Sequence, residues 1–516
     1  MSAPRSVGGM AELTIALSLA TDLGTGQPME HGLRTCLLSL SAAEHLGLDG
    51  GRRSCVYYTA LLRFLGCTSD AADTAELAGG DDLAFNATFA PALLAGAGES
   101  MRFFVRHLAE DQPWHRRASR VVRALADTDG TRRSLSQHCE AGARLAGRLG
   151  LDDAVRHALA HAYERWDGKG YPDGLAGGDV PEAVRVVAVA RDVELLARNG
   201  WEAAGHALRS RRGRGYDPAV ADAFLAEGRR WLAAIGDDPA TEVLAAEPSP
   251  AVTIPVDGLD HALGAVADFV DLKSPWFRGH SSAVATLVEA AAGAAGLDAA
   301  DSALLRRAAL VHDVGRVGVP NGIWDHAGPL STEQWERVRM HSYLTERVLA
   351  RSAVMAPFVD LAASHHERVD GSGYHRGITG DRLGLRGRLL AAADAFHAMT
   401  EARPYRPALD AAEAAEQLVA DVDRGRFTRA EVDAVLAAAD QRGRDPVVPR
   451  PAGLTEREVA VLRLIARGFT NRQVAARLGI SAKTVGHHVE HIYAKSGVAT
   501  RAGATLFAME HDLLVT

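Results

Sequence analysis

The chain has 516 residues, enough for about two to four domains, with 47% hydrophobic and 24% charged residues. That composition belongs to a soluble globular protein and excludes a disordered or low-complexity chain. The formal net charge of −8 argues against nucleic-acid binding by bulk charge.

The apolar run Ile15–Ala20 near the N-terminus is short and flanked by Glu12 and Asp22. It reads as an ordinary helix, neither a signal peptide nor a membrane span. The four cysteines, Cys36, Cys55, Cys67 and Cys139, lack CxxC spacing and read as free thiols of a cytoplasmic protein. Proline-rich breaks lie at Glu247–Pro255 and Gln441–Gly453. They predict a first domain over 1–245, a linker 246–257, a second domain 258–440, a linker 441–453 and a third domain 454–516. Ala, Leu, Arg and Glu dominate all three, which predicts an all-α chain.

The first two pieces form a worn internal repeat. Arg165-Trp166-Asp167-Gly168-Lys169-Gly170-Tyr171 matches Arg368-Val369-Asp370-Gly371-Ser372-Gly373-Tyr374. Ala60-Leu61-Leu62-Arg63-Phe64-Leu65-Gly66 matches Ala309-Leu310-Val311-His312-Asp313-Val314-Gly315. His31 precedes Arg63 by the 32 residues that separate His280 from His312, and Asp192 pairs with Asp394. The first copy carries 46 extra residues between Arg63 and His138, expected to form a surface subdomain at about 70–130. It keeps His31, His138 and Asp192 but has Arg63-Phe64 for His-Asp and Ala162-Tyr163 for His-His. Phenylalanine cannot bridge metals and arginine repels a cation, so no metal is expected there. Arg63 could pair with Asp192 instead. The copy reads as a packing partner or a ligand sensor, with packing the simpler account.

The second copy carries His280, His312-Asp313, His341, His365-His366-Glu367 and Asp394. So many imidazoles and carboxylates are poor core material. They suit ligands of two adjacent metal ions, such as iron, manganese or zinc. For Glu367 and Asp370, structural hydrogen bonding is at least as good an account as direct chemistry.

With Pro320, Ala393-Asp394-Ala395-Phe396 and Arg403-Pro404-Tyr405-Arg406, this order over about 260–410 resembles the HD-GYP metal-dependent phosphohydrolases, an all-helical family. The resemblance implies that Asp313 bridges two divalent ions, iron or manganese. His280, His312 and Asp394 would complete one site, and His341, His365 and His366 the other. His312, Asp313 and Arg316 would be catalytic, and Arg316, Arg403 and Arg406 would contact a phosphoester such as cyclic di-GMP. A two-metal centre supplies a nucleophile at neutral pH and neutralises phosphoryl oxygens. Arg316 stands where the family has lysine, His375 where it has the proline of GYP, and His397 where it often has aspartate. Trp276 stands where a glutamate would serve a third metal.

The last 67 residues, from Arg450, hold nine Arg/Lys against five Asp/Glu, a local +4. Thr455 with Glu458 is a capping box, and Ser481 caps a longer helix. Short helix, Gly-containing turn and longer helix make a helix-turn-helix. Leu454, Thr455, Glu458, Val461, Leu462, Gly468, Asn471, Ile480, Ser481, Lys483, Thr484, Val485, His488 and Lys495 resemble the four-helix LuxR-type DNA-binding domain. That resemblance implies that helix 482–495 enters the major groove, with Lys483, Thr484, His487 and His488 near bases and phosphates. Thr470 and Asn471 would meet a phosphate. Val485, Val489 and Ile492 would face the core.

The leading expectation is therefore a cytoplasmic, membrane-free, homodimeric regulator. It would hydrolyse a cyclic dinucleotide or other phosphoester and bind DNA. The alternatives are a transcription factor whose HD-type site senses a nucleotide without turnover, and a dimerisation scaffold, against which the seven ligands argue.

Overall fold

Short alanine- and leucine-rich segments punctuated by capping aspartates make helices, and helices dominate the computed structural model, which describes residues 6–95, 101, 129–442 and 450–514. The all-α expectation is met. The departure among these residues is a two-stranded antiparallel ribbon, Ser6–Gly9 with Thr253–Pro255. Residues 253–255 fall within the linker expected at 246–257. Pairing with a strand remote in sequence is decided by tertiary approach, which local composition does not report. The chain packs as two units, 1–259 and 260–516.

Each unit builds the same frame from the same local chemistry. In the first, Asp49 accepts from Arg52 N at 2.9 Å and caps Gly50–Leu62, which ends at Arg63. In the second, Asp298 accepts from Asp301 N at 2.8 Å and caps Ala299–Val311, which ends at His312. His31 opens helix His31–His45 and His280 opens helix His280–Ala294. A buried aspartate, Asp22 or Asp271, accepts the N–H of the second residue of each of these helices, at 3.1 and 2.9 Å.

Two glycines are fixed by close approach. A Cβ on Gly66 would lie 2.0 Å from the His138 carbonyl oxygen, and one on Gly315 would lie 2.0 Å from that of His341. The loop after His365-His366, and after Ala162-Tyr163 in the first copy, is also shared. Glu164 accepts from Asp173 N and Gly174 N, as Glu367 accepts from Arg376 N and Ile378 N. Glu367 and Asp370, which accepts from Ser372 N, shape this loop.

The described part of the first copy's insertion, helices Ala71–Ala78 and Asp82–Phe89, buries few of its residues and walls one side of a cavity. The rest of the expected subdomain, 96–100 and 102–128, lies outside the described residues, as does 443–449 of the expected second linker.

The C-terminal segment folds as Glu456–Ala466, Asn471–Leu478, Ala482–Ser496 and Arg501–Glu510. Both expected caps form: Thr455 with Glu458, and Ser481 accepting from Thr484 N. Val485 and Ile492 are buried, whereas Val489 is half-buried. The segment packs within the second unit, where Arg278 Nη1 donates to the Ala466 carbonyl at 2.5 Å.

Candidate metal centre

Five segments of the second unit deliver the seven residues to one place. His280 comes from a helix start, His312-Asp313 from a helix end, and His341 from the middle of Thr332–Leu349. His365-His366 follow the short helix Val359–Ala363, and Asp394 lies within Gly384–Thr400. All are buried except His366, which is partly exposed.

Two clusters result. His280 Nε2 is 3.1 Å from Asp394 Oδ1, and His312 Nε2 is 2.9 Å from Asp313 Oδ2. His341 Nε2 and His365 Nε2 lie 3.1 Å apart, each 3.4 Å from Asp313 Oδ1. Asp313 thus turns one oxygen to each cluster. His366 Nδ1 is 3.8 Å from Asp394 Oδ2.

The tautomers decide what these atoms can hold. His312, His341 and His365 each donate Nδ1–H to the carbonyl three residues earlier, at 2.6, 2.5 and 2.6 Å. A carbonyl can only accept, so the His341 and His365 rings each present a bare Nε2, and His312 does so once it gives up the proton that Asp313 favours. His312 Nε2 and both Asp313 oxygens are buried without a well-formed hydrogen bond. Buried lone pairs converging at such distances fit divalent cations.

Burial lowers His341 to about 3, and it also lowers His365 and His366, so that cluster stays neutral and ligand-competent. Burial would lower His312 too, but the Asp313 carboxylate beside it holds it up to about 10. Burial opposes ionisation of Asp313, yet Arg316 and His312 keep it well below the usual carboxylate range.

The arginines depart from expectation. Arg316 is buried, ion-paired to Asp313 at 2.7 Å and stacked on Phe277 at 4.4 Å. Arg403 donates to the Trp276 carbonyl and pairs with Glu401 at 2.7 Å. Arg406 is spent on carbonyls of Ala398, Met399 and Glu401, closing the end of helix Gly384–Thr400, and it does not lie free to meet a ligand. The sequence reading missed Glu401, whose Oε2 takes His280 Nδ1 at 2.9 Å and fixes that ring. It also missed Asp271, although an aspartate nine residues before the histidine in both copies was a visible signal.

In the first unit the counterparts do not converge as ligands. His31 is bonded to Glu194 and His138 to Asp70. Asp192 is taken by Arg191, Arg211 and Tyr216 at 2.6, 2.7 and 2.5 Å, so the expected Arg63–Asp192 hydrogen bond is not made. No metal-ligand cluster occurs there among the described residues.

On the C-terminal helices Thr470, Asn471, Lys483, Thr484 and His487 are exposed and His488 is partly so. Thr470 caps helix Asn471–Leu478 by accepting from Gln473 N at 3.3 Å, so one of that helix's N–H groups is already used. His487 lies 3.5 Å from Glu490.

These features agree with comparison to known proteins. The HD domain family matches residues 123–220 and 264–430, and the luxR family of bacterial regulatory proteins matches 452–508. The 3′3′-cGAMP-specific phosphodiesterase 3 of Vibrio cholerae is 31% identical over 79% of this chain and 90% of its own length. A cyclic di-GMP phosphodiesterase of Thermotoga maritima is 39% identical over 19% of this chain and 27% of its own. The crystal structure of a cyclic GMP-AMP specific phosphodiesterase of V. cholerae (V-cGAP3) superposes with a TM-score of 0.58 at 26% identity, covering 84% of this chain and 98% of that one. The chain belongs to the HD-domain family of phosphodiesterases and carries a C-terminal domain of the luxR family. Among the described residues no helix is long and apolar enough to cross a membrane.

Proposed function

We propose that this chain hydrolyses a cyclic dinucleotide at a two-metal centre in its second copy and couples that site to sequence-specific DNA binding. The observation that carries the reading is the pair of facing Nε2 atoms, His341 and His365, with Asp313 touching both and reaching His312 on its other side. His280, His312 and Asp394 would hold one ion and His341, His365 and His366 the other, shared through Asp313. Iron or manganese suits this imidazole-rich set. When bound, the ions would activate water and neutralise phosphoryl charge. Glu401 holds the His280 ring, three backbone carbonyls fix the other tautomers, and Arg316 adds a cation at the wall of the site. His366, partly exposed, marks the side from which a ligand enters. The relatives' substrates, 3′3′-cGAMP and cyclic di-GMP, are the first to try.

Coupling to DNA is supported by the loop before His280. It offers the Trp276 carbonyl to Arg403, packs Phe277 under Arg316, and bonds Arg278 to Ala466 in the DNA-facing segment. Dimerisation through the upstream domains would raise affinity for two half-sites.

The test is anaerobic reconstitution with manganese or iron, followed by incubation with each cyclic dinucleotide and chromatography of products. Linear dinucleotide or mononucleotide supports the reading. Metal-replete protein that turns over neither substrate overturns it and leaves the sensor alternative, which the Arg316–Asp313 ion pair favours.

A further inference from the structure

Where the second copy gathers ligands for cations, the first copy gathers cations. Arg63 occupies the position of His312, is 4% exposed, and none of its three guanidinium nitrogens has a hydrogen-bond partner. It stacks against Tyr163 at 5.4 Å and Phe64 at 6.0 Å. Arg191, 1% exposed, lies over the same Phe64 at 5.8 Å, and its Nε is also unpartnered. Asp192 is the carboxylate at the centre, and it is already shared by Arg191, Arg211 and Tyr216. Glu194 is occupied by His31 and Arg198. The inner site therefore carries more guanidinium than carboxylate, buried and incompletely bonded, an arrangement that favours an arriving anion.

Of these groups Arg191 and His31 line a cavity of about 540 Å³, and Arg63 stacks on Phe64 and Tyr163, which also line it; the volume is within the roughly 300–1,000 Å³ range of small-molecule sites. Arg191, His31, Phe64 and Tyr163 line its inner end, and Phe85 and Phe89 of the insertion supply aromatic walls. Asp73 and Glu76 line the outer part. One end thus suits a phosphate, and the aromatic walls suit a planar ring.

We propose that the first copy is a binding site for a purine nucleoside monophosphate, with the phosphate at Arg191 and His31 in the field of Arg63 and the base against the stacked rings of Phe85 and Phe89. This account gives the described part of the insertion a purpose: it walls one side of a pocket where the metal site is lost. It stands independently of whether the second copy turns over.

The test uses the full chain stripped of metal with chelator, titrated calorimetrically with GMP, AMP, guanosine and inorganic phosphate. One nucleoside monophosphate should bind per chain at the first copy, with guanosine and phosphate each at least about tenfold weaker. Arg63→Met should weaken that binding at least tenfold. Leu135→Trp, which fills the cavity from the apolar part of its wall beside Tyr163, should abolish it and decides the matter if the arginine variant does not fold. Unchanged nucleotide affinity in Leu135→Trp, no binding of either nucleotide at millimolar concentration, or inorganic phosphate binding as tightly as GMP would each overturn the proposal.

Discussion

Replacing Asp313 by asparagine keeps the side-chain shape and removes one charge. The carboxylate is fully buried and lies 2.7 Å from Arg316, 2.9 Å from His312 and 3.4 Å from His341 and His365. In metal-free protein the change leaves the buried Arg316 without its counter-ion. Breaking a buried pair from one side costs about 3–5 kcal/mol, and His312 loses the neighbour that holds it up to about 10. The sign follows from that elevation: the His312–Asp313 attraction is fully present below the ordinary histidine value near 6.5 and is lost as pH rises through about 10. The difference in melting temperature between wild type and Asp313→Asn, both stripped with chelator, should therefore be large at pH 6 and shrink in strong alkali. In reconstituted protein the variant should hold at most one ion per chain and show no hydrolysis, because neither cluster keeps its shared ligand. The assay is metal analysis alongside thermal unfolding. An asparagine variant that retains two ions per chain and melts with the wild type would refute both the bridge and the ion pair.

Other outcomes are expected on the same footing. Glu401→Gln should lower metal affinity about 10–100-fold by freeing the His280 ring, measured by competition with a chelating dye; unchanged affinity would make Glu401 a bystander. His31→Ala should leave metal content unchanged, since its copy lacks a ligand cluster, and metal analysis checks this. Glu458 is buried against Lys495 at 2.7 Å; burial would raise it, but Lys495 and Thr455 hold it at about 2. Its contribution, at most about 3 kcal/mol, is complete above pH 4.5 and lost as pH falls toward 2. The stability gap to Glu458→Gln should close over that window in acid unfolding curves. Lys483→Ala should weaken binding to all DNA sequences and reduce the salt slope by about 1. His487 or His488 substitution should instead shift sequence preference, and filter binding across salt and operator variants separates the two effects.

Much of this protein was legible from its sequence because its information is local or periodic. Capping aspartates, serines and threonines mark helix starts, and the charge of the tail with its Gly-containing turn marks the helix-turn-helix. The spacing of His280, His312, His341, His365 and Asp394 marks a metal-ligand set, because such groups in a core are costly unless used together. The repeat could be read because Gly66 and Gly315 meet a backbone that no side chain could approach, so both copies kept them. What only the tertiary structure decided were partners chosen among remote groups. Nothing in the chain order says that Glu401 would reach His280, or that Arg406 would turn to helix carbonyls. Nor does it say that Asp192 would be taken by Arg191, Arg211 and Tyr216, leaving Arg63 without a hydrogen bond. A long flexible side chain has several partners within reach, and packing selects one, so the roles of these arginines follow from the fold rather than from their place in a motif.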